Sequence, residues 1–310
     1  MKIEKVTLIG LGAMGAFFAP KLHEHLGDNF RVVAEGKRKE KLETKGVTIN
    51  KRNYRLPIVT PDETGNPADL VIIAVKGYAL EQAIADIRNQ VGENTLILPV
   101  LNGVDSEEKL AAAFGEEHVL YAYMKVSIVM QNNAANYDPT LGEVHFGEKK
   151  NEGISRRVQS VKELFDACDI GYHIDEDMEL GIWFKFMCNV GQNLTCALLG
   201  IPFGAYRVSG HANYLRRNAM REVIAIAQAQ GIGLNDSFIE LQEETIKKIP
   251  PHNKPSTLQD LENKRNTEIE MFAGTVVRMG RRLEVDTPMA DFFYHAIRVL
   301  EEKNAGIIEG

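Results

Sequence analysis

VTLIGLGAMG, residues 6–15, is the stretch whose reading decides the fold. Val6 to Ile9 is a short apolar run of strand character. It leads into Gly10-Leu11-Gly12-Ala13-Met14-Gly15, and residues 16–26 follow with helical spacing. A G-x-G-x-x-G turn in this setting has a physical reason at each glycine. The first permits the tight turn, the second lets backbone approach a pyrophosphate, and the third allows close packing of helix on strand. The phosphates then sit at the helix N-terminus.

Outward from this turn, residues 31–34 read as the second strand, and Glu35 stands twenty residues past Gly15. A carboxylate there accepts the ribose hydroxyls of NAD and repels the 2′-phosphate of NADP. Lys37 and Arg38 follow at once, and either could hold that phosphate, or both could belong to a solvated helix start. Residues 47–50 and 54–58 alternate around 51–53 and suggest a hairpin or a small excursion. Residues 70–75 and 95–98 are continuous apolar runs of the buried parallel type, followed by helices over 80–88 and 106–114. Lys76 and Asn102 lie just past those two strands, where an open parallel sheet meets its ligand. The alternatives are a solvated loop lysine and an Asn-Gly turn dipeptide.

Later strands are expected over 119–130, 142–146 and 172–174, with a helix over 155–168. From Asp175 the strand patterns stop. Helices are expected over 178–199, 212–230, 237–248, 265–279 and 288–303. The expected fold is therefore α/β, a Rossmann-type parallel-sheet domain (1–176) followed by an all-α domain (177–310).

Composition sets the outer limits. A chain of 310 residues suggests two domains, and 44% hydrophobic with 25% charged residues is ordinary for a globular protein. A net charge of -7 argues against nucleic acid or an anionic membrane as the main partner. The chain runs from Met1 straight into the first strand with no signal peptide and no spanning apolar segment, so a cytoplasmic protein is expected. Cys168, Cys188 and Cys196 are odd in number and lack metal-ligand spacing. They read as reduced core residues, with no disulfide framework and no metal site.

In the helical half, GIWFKFMCNVGQNLTCALL (181–199) is an apolar helix carrying three polar intruders. Lys185, Asn189 and Asn193 stand four apart and form a slowly drifting stripe on one face. A lysine with Trp183, Phe184 and Phe186 around it either snorkels to water or lines a polar cleft. A nucleotide domain in front favours the cleft, since sites commonly form between domains. Farther on, PSTLQD (255–260) is a turn leading into a helix. Glu268, twelve residues past Ser256, is either a site carboxylate or a surface one.

Taken in order, GLGAMG, AVK ending at Lys76, LNGV with Asn102, WFKFMCNVGQN, PSTLQD and NTEIE resemble the ketopantoate reductase (2-dehydropantoate 2-reductase) family over essentially the whole chain. The resemblance implies Lys185 as general acid and Glu268 as the acidic residue assisting it. It implies Asn189, Asn193 and Ser256 at substrate-binding positions, Asn102 touching cofactor and substrate, and Lys76 near the cofactor. It also implies NADP(H), a small 2-keto acid substrate, a role in pantothenate and coenzyme A biosynthesis, and a possible homodimer. Two departures stand out. Glu35-Gly36 replaces the arginine that commonly serves the 2′-phosphate, which brings in NAD(H), and Phe203 follows Pro202 where family members often carry an asparagine. These suit an NAD-dependent D-2-hydroxyacid dehydrogenase acting on another bulky 2-keto acid. A non-catalytic nucleotide-sensing protein is the rival of a different class; it would need neither Lys185 nor Glu268.

Overall fold

In chain order the first half runs β1 (Val6–Ile9), α1 (Ala13–Leu26), β2 (Phe30–Val33), α2 (Gly36–Lys45), β3 (Val47–Ile49), β4 (Arg52–Tyr54), β5 (Ile58–Val59), β6 (Ala68–Ile73), α3 (Leu80–Asp86), β7 (Val91–Pro99), α4 (Ser106–Phe114), β8 (Tyr121–Lys125), β9 (Val129–Gln131), β10 (Ala134–Asn136), β11 (Glu143–Gly147), α5 (Arg156–Ala167) and β12 (Tyr172–His173). The computed structural model describes residues 2–126, 128–131 and 134–308. Contacts divide the chain into two units, Met1–Glu179 and Leu180–Gly310.

The first unit is built on a parallel sheet of order β5-β2-β1-β6-β7. β1 is central, with Leu8 paired to Val32 on one side and Ile72 on the other. Helices cover both faces of such a sheet, so β1 and β6 read as near-continuous apolar runs, buried throughout except at Asp69. Phe17 and Phe18 of α1 enter the same core as Phe30, Phe146 and Phe165. Two smaller sheets, β4-β3-β10-β9 and β12-β11-β8, complete the unit.

The hairpin differs from the sequence expectation. β3 and β4 pair antiparallel through Asn50 and Lys51, both at positive φ, but β4 stops at Tyr54. Ile58–Val59 leaves the hairpin to join β2 in the main sheet. Pro57 lies at the break; it has no N–H to continue a ladder, and its carbonyl accepts from Val32 N–H at 2.8 Å. The strand expected over 119–130 is also two strands, β8 and β9; Ser127, which falls within it, lies outside the described residues.

The helical half comprises α6 (Met178–Cys188), a π-helical turn over Asn189–Asn193, α7 (Leu194–Leu199), a 3-10 turn over Phe203–Arg207, α8 (Gly210–Ala229), α9 (Ser237–Lys248), α10 (Ser256–Glu262), a second π-turn over Glu270–Gly274, α11 (Thr275–Leu283) and α12 (Pro288–Asn304). The helix expected from 265 begins late. The carboxylate of Glu301, on α12, accepts from both the N–H and the hydroxyl of Thr267 at 2.7 Å, and Ile269 N–H donates to Thr267 Oγ1. These bonds hold residues 265–269 out of the helix. Among the described residues no helix is long and apolar enough to cross a membrane.

Candidate functional site

Because the main sheet is parallel, the segments leaving β1, β2, β6 and β7 all emerge at one edge. They carry Gly10, Glu35, Lys76 and Asn102 respectively. The chain leaves β1 for β2 on one side and later for β6 on the other, so this edge has the topological switch point where nucleotides bind in such sheets.

Two glycines of the turn are required by the fold itself. Gly10 has φ +93, and a Cβ there would lie 2.5 Å from the Ala74 carbonyl carbon. A Cβ on Gly15 would lie 2.1 Å from the Gly10 oxygen, so nothing larger than glycine lets α1 pack this close to its own turn. Gly12 is different: a Cβ there would meet nothing within 4 Å. The protein leaves open space at the residue that caps α1, and no side chain caps that helix. Leu11, Ala13 and Met14 complete the turn, whose open, uncapped helix N-terminus fits a dinucleotide pyrophosphate.

Around the turn, Glu35 is exposed at the start of α2, and its carboxylate does not cap that helix. Arg38 reaches back to donate to the Leu11 carbonyl at 2.9 Å, while Lys37 is exposed. Lys76 is half-buried at the head of a 3-10 turn, its carbonyl accepting from Ala79 N–H. Asn102 is half-buried in the loop between β7 and α4.

The remaining candidates lie in the helical unit. Lys185 occupies the last turn of α6 and is half-buried; its sequence neighbours Trp183 and Phe186 are buried, and their rings meet edge-on at 5.9 Å. Asn189 and Asn193 bound the first π-turn, and Asn193 Nδ2 donates to Asn189 Oδ1 at 2.9 Å. On the other side of this turn Gly191 meets α8 so closely that a Cβ would lie 2.4 Å from Met220 Cγ and 2.9 Å from the Arg216 oxygen. Gln192, buried, accepts from Gln242 Nε2 through its side-chain oxygen at 3.1 Å. Ser256 is exposed at the first position of α10, which packs against the π-turn and α7. Glu268 is half-buried just before the second π-turn, which also packs against the first. The unit thus gathers the segments bearing Lys185, Asn189, Asn193, Ser256 and Glu268 around one irregular turn. π-turns are rare and concentrate at functional sites.

Phe203 does not stand alone in a polar setting. Its ring packs beside the buried cluster of Cys196, Tyr206, Ala212 and Ile246, and its N–H donates to the Asn253 carbonyl at 3.0 Å. Asn253, half-buried and three residues before Ser256, joins the candidates; the sequence signal was the one amide in the HNKPS loop. Among the described residues no group of His, Cys, Asp and Glu could hold a metal ion.

Residues 6–151 match the family model described as ketopantoate reductase PanE/ApbA, and residues 177–301 match its C-terminal counterpart. An uncharacterized oxidoreductase of Bacillus subtilis, YkpB, is 26% identical, covering 96% of this chain and 99% of that protein. A 2-dehydropantoate 2-reductase of Streptococcus pyogenes is 25% identical, covering 91% and 93%. Among solved structures, D-mandelate dehydrogenase with NADH and anilino(oxo)acetate superposes with a TM-score of 0.84 at 23% identity, covering 97% of this chain and 99% of that one. A dimeric ketopantoate reductase from Staphylococcus aureus gives 0.74 at 20%, covering 97% and 99%.

Proposed function

The chain belongs to the ketopantoate reductase family, a family of NAD(P)-dependent oxidoreductases, and on that premise we propose that it reduces a 2-keto acid, 2-dehydropantoate, to its 2-hydroxy acid. The observation that carries the proposal is the polar face of the apolar 181–199 helix. One lysine and two mutually bonded amides stand on it, one turn apart, with Ser256 and Glu268 on segments packed around the same turn.

Bound nicotinamide would supply the hydride that attacks the keto carbon. Lys185, as ammonium, stabilises the charge that develops on the carbonyl oxygen and donates the proton that makes it a hydroxyl. Glu268 orients the amine and keeps it charged. Asn189, Asn193, Ser256 and Asn253 offer neutral donors and acceptors to the substrate's carboxylate and hydroxyl. In the first unit the Gly10–Gly15 turn and the N-terminus of α1 hold the pyrophosphate, with Lys76 and Asn102 at the same sheet edge. The family likeness suggests NADP(H), a place in pantothenate and coenzyme A biosynthesis, a cytoplasmic protein and a homodimer.

A second reading has its own observation. Glu35 presents an exposed carboxylate beside the nucleotide turn, while the Arg38 guanidinium gives one N–H to the Leu11 carbonyl. This favours NADH, and with it a D-2-hydroxyacid dehydrogenase acting on another branched or bulky 2-keto acid. Steady-state oxidation of NADPH and NADH with 2-dehydropantoate and with bulky 2-keto acids separates the two. Fast turnover of 2-dehydropantoate supports the reductase, turnover confined to other keto acids supports the dehydrogenase, and no turnover with any of them contradicts both.

A further inference from the structure

A π-turn adds one residue to a helical turn and displaces backbone carbonyls from their usual donors. In Asn189–Asn193 two such carbonyls are met by hydroxyls. Gly191 O accepts from Thr195 Oγ1 at 2.7 Å, a bond that threonine makes within its own helix. Gln192 O accepts from the Tyr206 hydroxyl at 2.7 Å, and Tyr206 comes from a different element, the 3-10 turn Phe203–Arg207. Tyr206 is itself held on several sides. Its ring is buried beneath the Arg216 guanidinium, 4.8 Å from the ring centre, and that guanidinium is buried and bonded to Glu243 Oε1 at 3.1 Å. Asn213 Nδ2 donates to the Tyr206 carbonyl at 2.6 Å, and Cys196 Sγ approaches the hydroxyl at 3.4 Å.

The other end of the same 3-10 turn grips the segment before Ser256. Phe203 N–H donates to Asn253 O at 3.0 Å and Gly204 N–H to Pro251 O at 2.8 Å. Gly204 has no room for a side chain, since a Cβ would lie 2.6 Å from Pro251 O and 2.7 Å from Pro251 Cβ. Arg207 donates to the Lys247 carbonyl at 2.9 Å and caps the end of α9, from which that loop departs. Five consecutive residues therefore tie the amide-bearing π-turn to the loop that delivers Ser256.

We infer that Tyr206 is a positioning residue of the keto-acid site: with the 3-10 turn Phe203–Arg207 it holds Asn189 and Asn193 at a set separation from Ser256. It touches no reacting atom; it acts through the Gln192 carbonyl. The inference rests on the keto-acid reading above and extends it to residues outside the polar stripe.

The test compares wild type, Tyr206→Phe and Gly204→Ala. Tyr206→Phe removes the bond to Gln192 O and the weaker one from Cys196 Sγ but no ring volume, and is expected to raise KM for the keto acid about tenfold with kcat changed by less than about threefold. Gly204→Ala, which pushes on the loop from the other end, is expected to shift KM in the same direction. Affinity for NADH, titrated by fluorescence, stays unchanged in both. A merely structural role would lower the melting temperature and leave KM alone, which overturns the inference. Should Tyr206→Phe fail to fold, Gly204→Ala decides by the same two outcomes. A wild type inactive with every 2-keto acid overturns the keto-acid reading and this inference with it; an active wild type with unaltered KM in the variants overturns the inference only.

Discussion

Asn193 Nδ2 donates to Asn189 Oδ1 at 2.9 Å across the π-turn. The bond fixes both amides and leaves the Asn189 NH2 and the Asn193 oxygen to meet a ligand, a donor and an acceptor side by side. That pair suits a carboxylate or ketone oxygen next to a hydroxyl. Asn189→Ala is expected to raise KM for the keto acid by roughly ten- to a hundredfold, the cost of a lost hydrogen bond plus an orphaned partner. Affinity for NADH stays at the wild-type value. A KM within experimental error of wild type would remove Asn189 from the substrate site.

Gly12 and Gly15 separate binding from folding. Gly12→Ala places a methyl group in space where the protein has no atom within 4 Å. Its φ of -98 suits alanine, so the melting temperature is expected to hold while nicotinamide nucleotide affinity falls by about tenfold or more. Gly15→Ala drives a methyl group to within 2.1 Å of the Gly10 oxygen, so it is expected to lower the melting temperature as well. Thermal melts with and without nucleotide distinguish the two variants.

Glu35 is expected to make the protein bind NADH more tightly than NADPH. A carboxylate facing the 2′-phosphate sets like charges together, and Arg38 is engaged with the Leu11 carbonyl. Glu35→Ala should narrow the gap between the two affinities by about tenfold or more, by tightening NADPH and loosening NADH. A wild type that prefers NADPH would mean that Lys37 or Arg38 outweighs the carboxylate.

Glu107, in the first turn of α4, is buried, and loss of hydration pushes its carboxyl up to about 7 from 4.5; the Ser106 hydroxyl, 2.8 Å from Oε2, only partly offsets this. Between pH 4.5 and about 7 the folded carboxyl keeps a proton that the unfolded one has lost. Its stabilising effect is therefore full below the lower value and is lost as pH rises through the upper one. The slope is about 1.4 kcal/mol per pH unit at most. Glu107→Gln should flatten this dependence, so that the melting temperature of the variant exceeds that of wild type at about pH 8 by more than at about pH 5. Parallel curves for the two proteins would contradict it.

Much of the first unit was legible because local chemistry and global fold agree there. Gly10 and Gly15 each have a steric reason that their spacing announces, Gly12 stands where a ligand needs room, and β1 and β6 are mostly apolar because a parallel sheet buries both faces. Helices 106–114 and 237–248 end where their sequence patterns end. The irregular turns of the helical unit were not legible. Residues in a π-turn keep helical dihedrals, and the cause of the first one is tertiary: Gly191 lies against Met220 and the backbone of Arg216. Likewise residues 265–269 stay out of a helix because Glu301, far along the chain, binds Thr267. Tyr206 and Asn253 gain importance from contacts between distant segments, and no spacing rule encodes those.

The most direct measurement is kcat of Lys185→Ala with saturating keto acid and nucleotide, alongside its NADH affinity. Loss of the proton donor and of the charge facing the carbonyl oxygen is expected to lower kcat by about a hundredfold or more, with NADH bound as tightly as by wild type. Turnover near the wild-type rate would contradict the account and return Lys185 to a lysine that reaches water past its aromatic neighbours.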